Sequence, residues 1–407
     1  MFDYQFISEV KSLRKKVEKL YIYGAGMRGI EFYKILTRNE VEIDGFIVTE
    51  VIGENTKFGL PILEADTVVN DMNTGIVLGM SDTNTIDVDK YLKELKADFS
   101  RIIDGGKYLS EYRDIYGLRN APFLEITPVI GCRVNCRFCP QNLLINTYFA
   151  KDKNRKRVMT TDDFEIFLKH TPDNCGIMFA GMAEPFLNPE CTKLLQMSCD
   201  AGRAVRLYTT LEGAIDRDID VILNLPLQFV GLHVADKKGY AHITVSEQYY
   251  RSVEKLINAK KVNSEESFVD DITAQAEPDE RIKQLCEGRF EIITSVQDRA
   301  GNLEGDEVEK RDYRLTTEKF LCCYCGPEVN NHVVLPDGTL LLCQMDYGMK
   351  HVMGNLLVNT FDELRRDGIV PKVLEAAQGH HTCELLCDTC LNAKIQKNDS
   401  KGMGNGI

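Results

Sequence analysis

At 407 residues the chain is long enough for two or three domains. Hydrophobic residues make up 43%, enough for ordinary packed cores, and a formal net charge of −13 argues against a broad basic surface for nucleic acid. No apolar run approaches the roughly 18 residues of a membrane span, and the N-terminal stretch mixes acids and bases without a signal-peptide core. Fourteen cysteines without such a signal point to a reducing, cytoplasmic setting and to metal binding rather than disulfides.

Phe6, Val10, Leu13 and Val17 recur on one face of a helix expected over residues 1–18. Leu20-Tyr21-Ile22-Tyr23 reads as a buried strand. Gly24-Ala25-Gly26-Met27-Arg28-Gly29 follows it, where a helix through Ile30 and Tyr33 should open. This is G-x-G-x-x-G between strand and helix. Gly24, Gly26 and Gly29 let backbone approach a phosphate, and the helix N-terminus favours negative charge. Further strands are expected at 45–50 and 76–79, and a helix across 91–95. The alternation predicts a Rossmann-like parallel α/β domain over residues 1–118. Glu50 stands near the place of a ribose-binding acid. The flow Tyr-Ile-Tyr-Gly-Ala-Gly, Gly-Phe-Ile and Phe58-Gly59-Leu60-Pro61-Ile62 resembles the small nucleotide-sugar-binding Rossmann-like domains attached to bacterial sugar acyltransferases and capsule or glycan enzymes. The resemblance implies a sugar-nucleotide or related ligand. A dinucleotide, or a glycine turn that only packs helix on sheet, is an alternative reading of the same residues.

Residues 116–122 read as a linker. The strand-like Phe123-Leu124-Glu125-Ile126 then leads to Cys132, Cys136 and Cys139, a C-x3-C-x2-C spacing. Thiolates are soft ligands that select zinc, copper(I) or iron–sulfur clusters. Three of them suit a cubane with one iron free of protein ligands. A structural zinc site would want a fourth ligand, and a C-x-x-C dithiol leaves Cys132 without a role. The basic tract 151–157 is either a solvated loop or a contact for an anionic substrate group. Thr160–Asp163 reads as the capped start of a helix whose Phe164, Phe167 and Leu168 face the core. Strands are then expected at 177–180, 205–210, 229–236 and 291–296, the last ending at Gln297-Asp298-Arg299-Ala300-Gly301-Asn302-Leu303.

The cysteine spacing resembles that of radical S-adenosylmethionine (SAM) enzymes. The resemblance implies a partial (β/α)6 TIM-type barrel over 119–315. In it Cys132, Cys136 and Cys139 hold a [4Fe–4S] cluster whose open iron chelates the amino and carboxylate groups of SAM. An electron, delivered by a donor such as flavodoxin or ferredoxin, then releases a 5′-deoxyadenosyl radical that takes hydrogen from a small-molecule substrate. Phe138 is placed beside the adenine. Gly181-Met182-Ala183-Glu184-Pro185 resembles the family's Gly-Gly-Glu-Pro motif, with Met182 for the second glycine and an extra Ala183. Gly181 and Glu184 are therefore the candidates for holding the SAM amino group. Thr209 and Thr210 end a strand where barrel ligands gather. His233 either points inward or is a hydrogen-bonded packing residue. Arg299 is the candidate for neutralising the SAM carboxylate or a substrate anion.

Residues 316–407 hold seven cysteines: Cys322, Cys323, Cys325, Cys343, Cys383, Cys387 and Cys390. Asn331–Cys343 reads as a β-hairpin around Pro336-Asp337-Gly338. The Gly-x4-Cys element, Gly354-Asn355-Leu356, the capping box Thr360/Glu363 and Cys387-x2-Cys390 resemble the SPASM/twitch extension. A fully ligated cubane takes four thiolates, so seven favour one auxiliary [4Fe–4S] cluster. The expected ligands are Cys325, Cys343, Cys387 and Cys390, with Cys322, Cys323 and Cys383 as alternates and zinc as a rival. Cys175, Cys191, Cys199 and Cys286 are expected to be small buried residues, one of them an available hydrogen-atom donor. The expected activity is hydrogen abstraction from a carbohydrate or nucleotide sugar, in dehydrogenation or epimerisation. Peptide maturation is the runner-up, and a non-catalytic iron–sulfur or zinc sensor or scaffold the alternative from another class.

Overall fold

The computed structural model describes residues 2–396 except 27, 28, 30, 31, 34, 35, 38, 52–54, 81, 106–121, 263, 265, 294, 295, 306 and 307. Met27, Arg28 and Ile30 of the glycine motif and its helix lie outside the described residues, as does most of the expected linker. The molecule is mixed α/β with parallel sheets. It divides into two compact units: Met1–Asn120 with Glu287–Glu291, and Ala121–Cys286 with Ile292–Ile407. Among the described residues no helix is long and apolar enough to cross a membrane.

The first unit runs α1 (Phe2–Arg14), β1 (Lys19–Tyr23), β2 (Gly45–Val48), β3 (Thr56–Lys57), β4 (Leu60–Glu64), β5 (Thr74–Leu78), α2 (Asp82–Glu94) and β6 (Ile102–Asp104). Its sheet has the order β3-β4-β2-β1-β5-β6. All neighbours are parallel except the antiparallel pair β3–β4. The parallel strands wind outward both ways from β1, and the direction changes between β1 and β5. Phe6, Val10 and Leu13 of α1 pack with Leu20, Ile22 and Phe46 on one face. Tyr21, Tyr23, Ile47 and Ile76 pack with Leu92 of α2 on the other. Burial on both faces is why β1 and β5 read as apolar runs without alternation.

The second unit alternates strand and helix: β7 (Phe123–Ile126), α3 (Gln141–Phe149), α4 (Thr161–His170), β8 (Gly176–Phe179), α5 (Cys191–Asp200), β9 (Val205–Thr209), α6 (Asp216–Ile222), β10 (Phe229–His233), α7 (Glu247–Asn258), β11 (Asp271–Ala274), α8 (Glu280–Cys286) and β12 (Glu291–Ile292). A small pair follows, β13 (Val296–Gln297) with β14 (Val308–Glu309). The stretch expected as one strand over 291–296 is thus divided between β12 and β13, which belong to different sheets. The tail holds β15 (Phe320–Cys322), β16 (Asn331–Val334), β17 (Thr339–Leu341), β18 (Val352–Asn355), α9 (Phe361–Asp367), α10 (Val370–Ala377) and β19 (Ala393–Ile395).

The main sheet has the order β12-β11-β10-β9-β8-β7-β16-β17-β18. Strands β7 to β11 are parallel. β16 joins β7 in parallel, and β17 and β18 continue antiparallel. The tail, expected as a separate third domain, therefore extends the sheet of the second unit. The register sorts side chains by face. Leu124, Ile177 and Val205 align in one row, and Ile126, Phe179, Leu207 and Val230 in another, all fully buried. Phe164 of α4 packs against this face, 5.9 Å from Phe179 between ring centroids. The opposite face carries Glu125, Met178 and Arg206 in one row, with Tyr208, His233 and Thr273 further along. That face is the polar one. The expected caps form: Thr160 accepts from Asp163 N at 3.3 Å, and Thr360 and Glu363 close a capping box. The hairpin turns at Gly338, whose φ of +84° suits glycine.

Candidate functional site

The loop leaving the carboxyl end of β7 carries Cys132, Cys136 and Cys139. It is fixed at several points: Ile130 N donates to Arg157 O at 2.9 Å, Arg137 N to Tyr240 O at 2.7 Å, and Arg133 Nε to Glu212 Oε1 at 2.7 Å. Asn135 takes φ +41°, which turns the chain between the first two thiols. The backbone N–H of Glu184 donates to Cys132 Sγ at 3.3 Å. The Gln275 side chain hydrogen-bonds Cys136. Gln141 Nε2 donates to Cys139 Sγ at 3.1 Å, and Tyr347 Oη lies 3.1 Å from the same sulfur. Burial first, with help from the neighbouring thiols, pushes Cys132 up to about 11 and Cys136 up to about 12. These two thiols are therefore protonated at neutral pH, and a soft metal would displace their protons on binding.

Glu184 is almost wholly buried at the turn after β8. Its Oε1 accepts from Thr209 Oγ1 at 2.6 Å and Phe186 N at 3.2 Å. Its Oε2 accepts from Thr210 N at 2.6 Å and Thr210 Oγ1 at 2.7 Å. Burial raises its pKa against these four donors. The carboxylate expected to meet an ammonium thus ties the end of β9 to the turn after β8, and engages both candidate threonines. Gly181 has φ +38°, and a Cβ there would stand 2.3 Å from Ile126 O. Its glycine identity is accounted for by the close crossing of two backbones.

Phe138 is half-buried, 6.3 Å from the Tyr240 ring, with the Arg137 guanidinium 5.2 Å from its own ring. His233 Nδ1 lies 3.0 Å from Thr273 Oγ1, and burial lowers its pKa to about 4, so the ring is neutral. Arg299 takes φ +51°, and its Nη1 lies 3.9 Å from Met345 Sδ. Its charge acts on Glu125 and Tyr347. Buried polar atoms are normally paired. Gln141 Oε1, Gln275 Oε1 and His233 Nε2 are buried without a hydrogen-bond partner in the protein. Two of these three atoms belong to amides that already touch the thiols. Soft thiol ligands with unused amide hydrogen-bonding capacity beside them fit a metal cluster that takes a polar group.

A second thiol set surrounds a cavity of about 430 Å³, its open side included, lined by Cys322, Cys325, Cys343, Cys387 and Cys390. The four expected ligands are all in this lining, and Cys322 joins them. Cys323 and Cys383 are not among the lining residues. Cys325 N donates to Cys322 Sγ at 3.1 Å, and a hydrogen bond from the Cys325 thiol draws Cys322 down to about 7. Among the described residues, no group of three or more His, Cys, Asp or Glu side chains could hold a single metal ion. Zinc would need its thiolates about 3.8 Å apart, given Zn–S bonds near 2.3 Å. A cubane spreads its thiolates over different irons.

Sequence reasoning passed over Glu125, Gln141, Gln275, Tyr324 and Tyr347. The available signal was the acid inside Phe-Leu-Glu-Ile. Glu125 is 2% exposed and accepts from the Tyr324 hydroxyl, and burial pushes it up to about 7. In the first unit, Gly24 takes φ +103°, and a Cβ on Gly29 would stand 1.8 Å from Gly24 O. Close packing accounts for both glycines. A Cβ on Gly26 would meet nothing within 4 Å, and Lys57 Nζ donates to Ala25 O at 2.7 Å beside it.

No family model and no curated protein matches the chain. It is similar to the solved structure of BtrN in complex with AdoMet and 2-DOIA, at 15% identity and a TM-score of 0.45, over 69% of this chain and 97% of that one. It is also similar to Streptococcus suis SuiB bound to precursor peptide SuiA, at 14% identity and a TM-score of 0.40, over 77% and 82%. A third is anSMEcpe with bound AdoMet, at 15% identity and a TM-score of 0.41, over 69% and 88%. At these TM-scores none of the three bears on what this chain does.

Proposed function

We propose that the chain is a radical SAM enzyme acting on a small carbohydrate or nucleotide-sugar substrate, by dehydrogenation or epimerisation. One observation carries the radical SAM part. Three hydrogen-bonded thiols from a single loop gather beside the Gln141 and Gln275 amides, whose Oε1 atoms are buried without a partner. Cys132, Cys136 and Cys139 would hold a [4Fe–4S] cluster, which together with bound SAM would supply a hydrogen-abstracting radical. The chain's own groups bind and orient. Gln275 and His233 offer hydrogen bonds to a polar cofactor. Glu184 holds Thr209 and Thr210 rigid at the strand end. Arg299 supplies positive charge beside Glu125. Cys343, Cys387 and Cys390, with Cys325 or Cys322, would hold an auxiliary cluster able to take an electron. The carbohydrate part is supported by the open space at Gly26, at the carboxyl end of β1 where the sheet changes direction.

The test is anaerobic reconstitution with iron and sulfide, then incubation with SAM and a strong reductant. The parent chain should release 5′-deoxyadenosine, and Cys136→Ala should fall to background. If the parent releases none, the chain is a non-catalytic iron–sulfur or zinc protein instead.

A further inference from the structure

Cys139 is hydrogen-bonded by two side chains, Gln141 and Tyr347. Gln141 Nε2 stands 3.1 Å from it, held also by Met182 O at 2.5 Å. Tyr347 Oη stands 3.1 Å away on the tail. Within the Tyr347–Cys139 pair a metal-bound thiolate has no proton to give, so the hydroxyl is the donor, alongside the Gln141 amide. The Tyr347 ring is 4% exposed and packs among Ile130, Leu144 and Met182, so its position is set by the core rather than by solvent. The turn that presents it is equally constrained. Asp346 N donates to Cys343 O at 3.1 Å, and the Asp346 carboxylate accepts from Lys350 N and His351 N, both at 2.7 Å. Cys343 and Met345, a few residues back, line the second thiol cavity.

We propose that Tyr347 is a positioning residue of the tail that donates a hydrogen bond to the Cys139 sulfur and so raises the reduction potential of a cluster bound there. The inference rests on the cluster assignment made above. Reduction adds negative charge to the cluster and its sulfurs. A donor aimed at a ligand sulfur therefore stabilises the reduced state more than the oxidised one. Because the same short turn carries Cys343, the segment that closes the second cavity also sets the electronics of the first site.

The experiment uses the full chain, reconstituted anaerobically, and follows the [4Fe–4S] electron paramagnetic resonance signal that SAM perturbs. In Tyr347→Phe that signal should titrate at a lower potential. At a fixed solution potential its reduced-to-oxidised ratio should fall by roughly threefold to tenfold, tenfold being ~59 mV for one electron. Replacing Tyr347 with a fluorinated tyrosine keeps the ring and makes a stronger donor, so it should shift the potential upward, which a packing role does not predict. Unchanged potentials in both variants overturn the proposal. A parent chain with no SAM-responsive signal overturns the radical SAM reading itself, and this inference with it.

Discussion

At Glu125 a carboxyl group sits inside a strand with almost no exposure, and its folded-state pKa near 7 compares with an ordinary 4.5. Between those values the folded chain keeps a proton that the unfolded chain has lost. The stability this contributes is full below about 4.5 and is lost as pH rises through about 7, a change on the order of 3 kcal/mol. His233 and His332, both lowered to about 4 by burial, act in the opposite sense and add stability as pH rises from about 4 to 6.5. A comparison with Glu125→Gln separates the two effects. Between about pH 5 and about pH 7.5 the apoprotein should lose roughly 2 kcal/mol relative to the variant in chemical denaturation. Parallel curves for the two proteins would show that Glu125 ionises normally. The three clustered thiols were legible as residues because their spacing is local. Glu125 was not, since nothing within its own strand shows that Tyr324 closes over it.

Among elements, the glycine turn after β1 gives the sharpest contrast. Gly29→Ala forces a Cβ against Gly24 O, backbone that cannot yield, so the first unit should lose more than about 3 kcal/mol. Gly26→Ala meets open space, and its effect on stability should stay within about 1 kcal/mol. Thermal denaturation of the two variants reads the difference directly, and equal losses would mean that the turn is packed differently. Helix starts at Thr160 and Thr360 were readable because a cap and its partner lie within one turn. The division of 291–296 was not, because each half is claimed by a different sheet partner: β12 lies beside β11, and β13 pairs with β14.

On the scale of the whole molecule, two thiol sets predict two clusters. Iron analysis of the reconstituted parent should give about eight irons per chain, and Cys136→Ala and Cys343→Ala should each remove about four. A parent content near four would leave one set unfilled. The second set was legible only as a list of candidates. It is assembled from the turn around Cys322 and Cys325, the end of the hairpin at Cys343, and the last turn at Cys387 and Cys390. Spacing cannot say which of these meet.

Taken alone, the order of residues determined the C-x3-C-x2-C loop, the strand–helix alternation, the caps and the Pro-Asp-Gly hairpin. Each of these depends on contacts within a few positions of the chain. Only the tertiary structure decided that the tail joins the main sheet, that Tyr347 reaches Cys139, that Gln275 reaches Cys136 and that five tail thiols face one cavity. The physical reason is that β16 pairs with β7, which lies far before it in sequence. Long-range pairing of that kind is set by the summed burial of the whole sheet, which leaves no mark at any single residue.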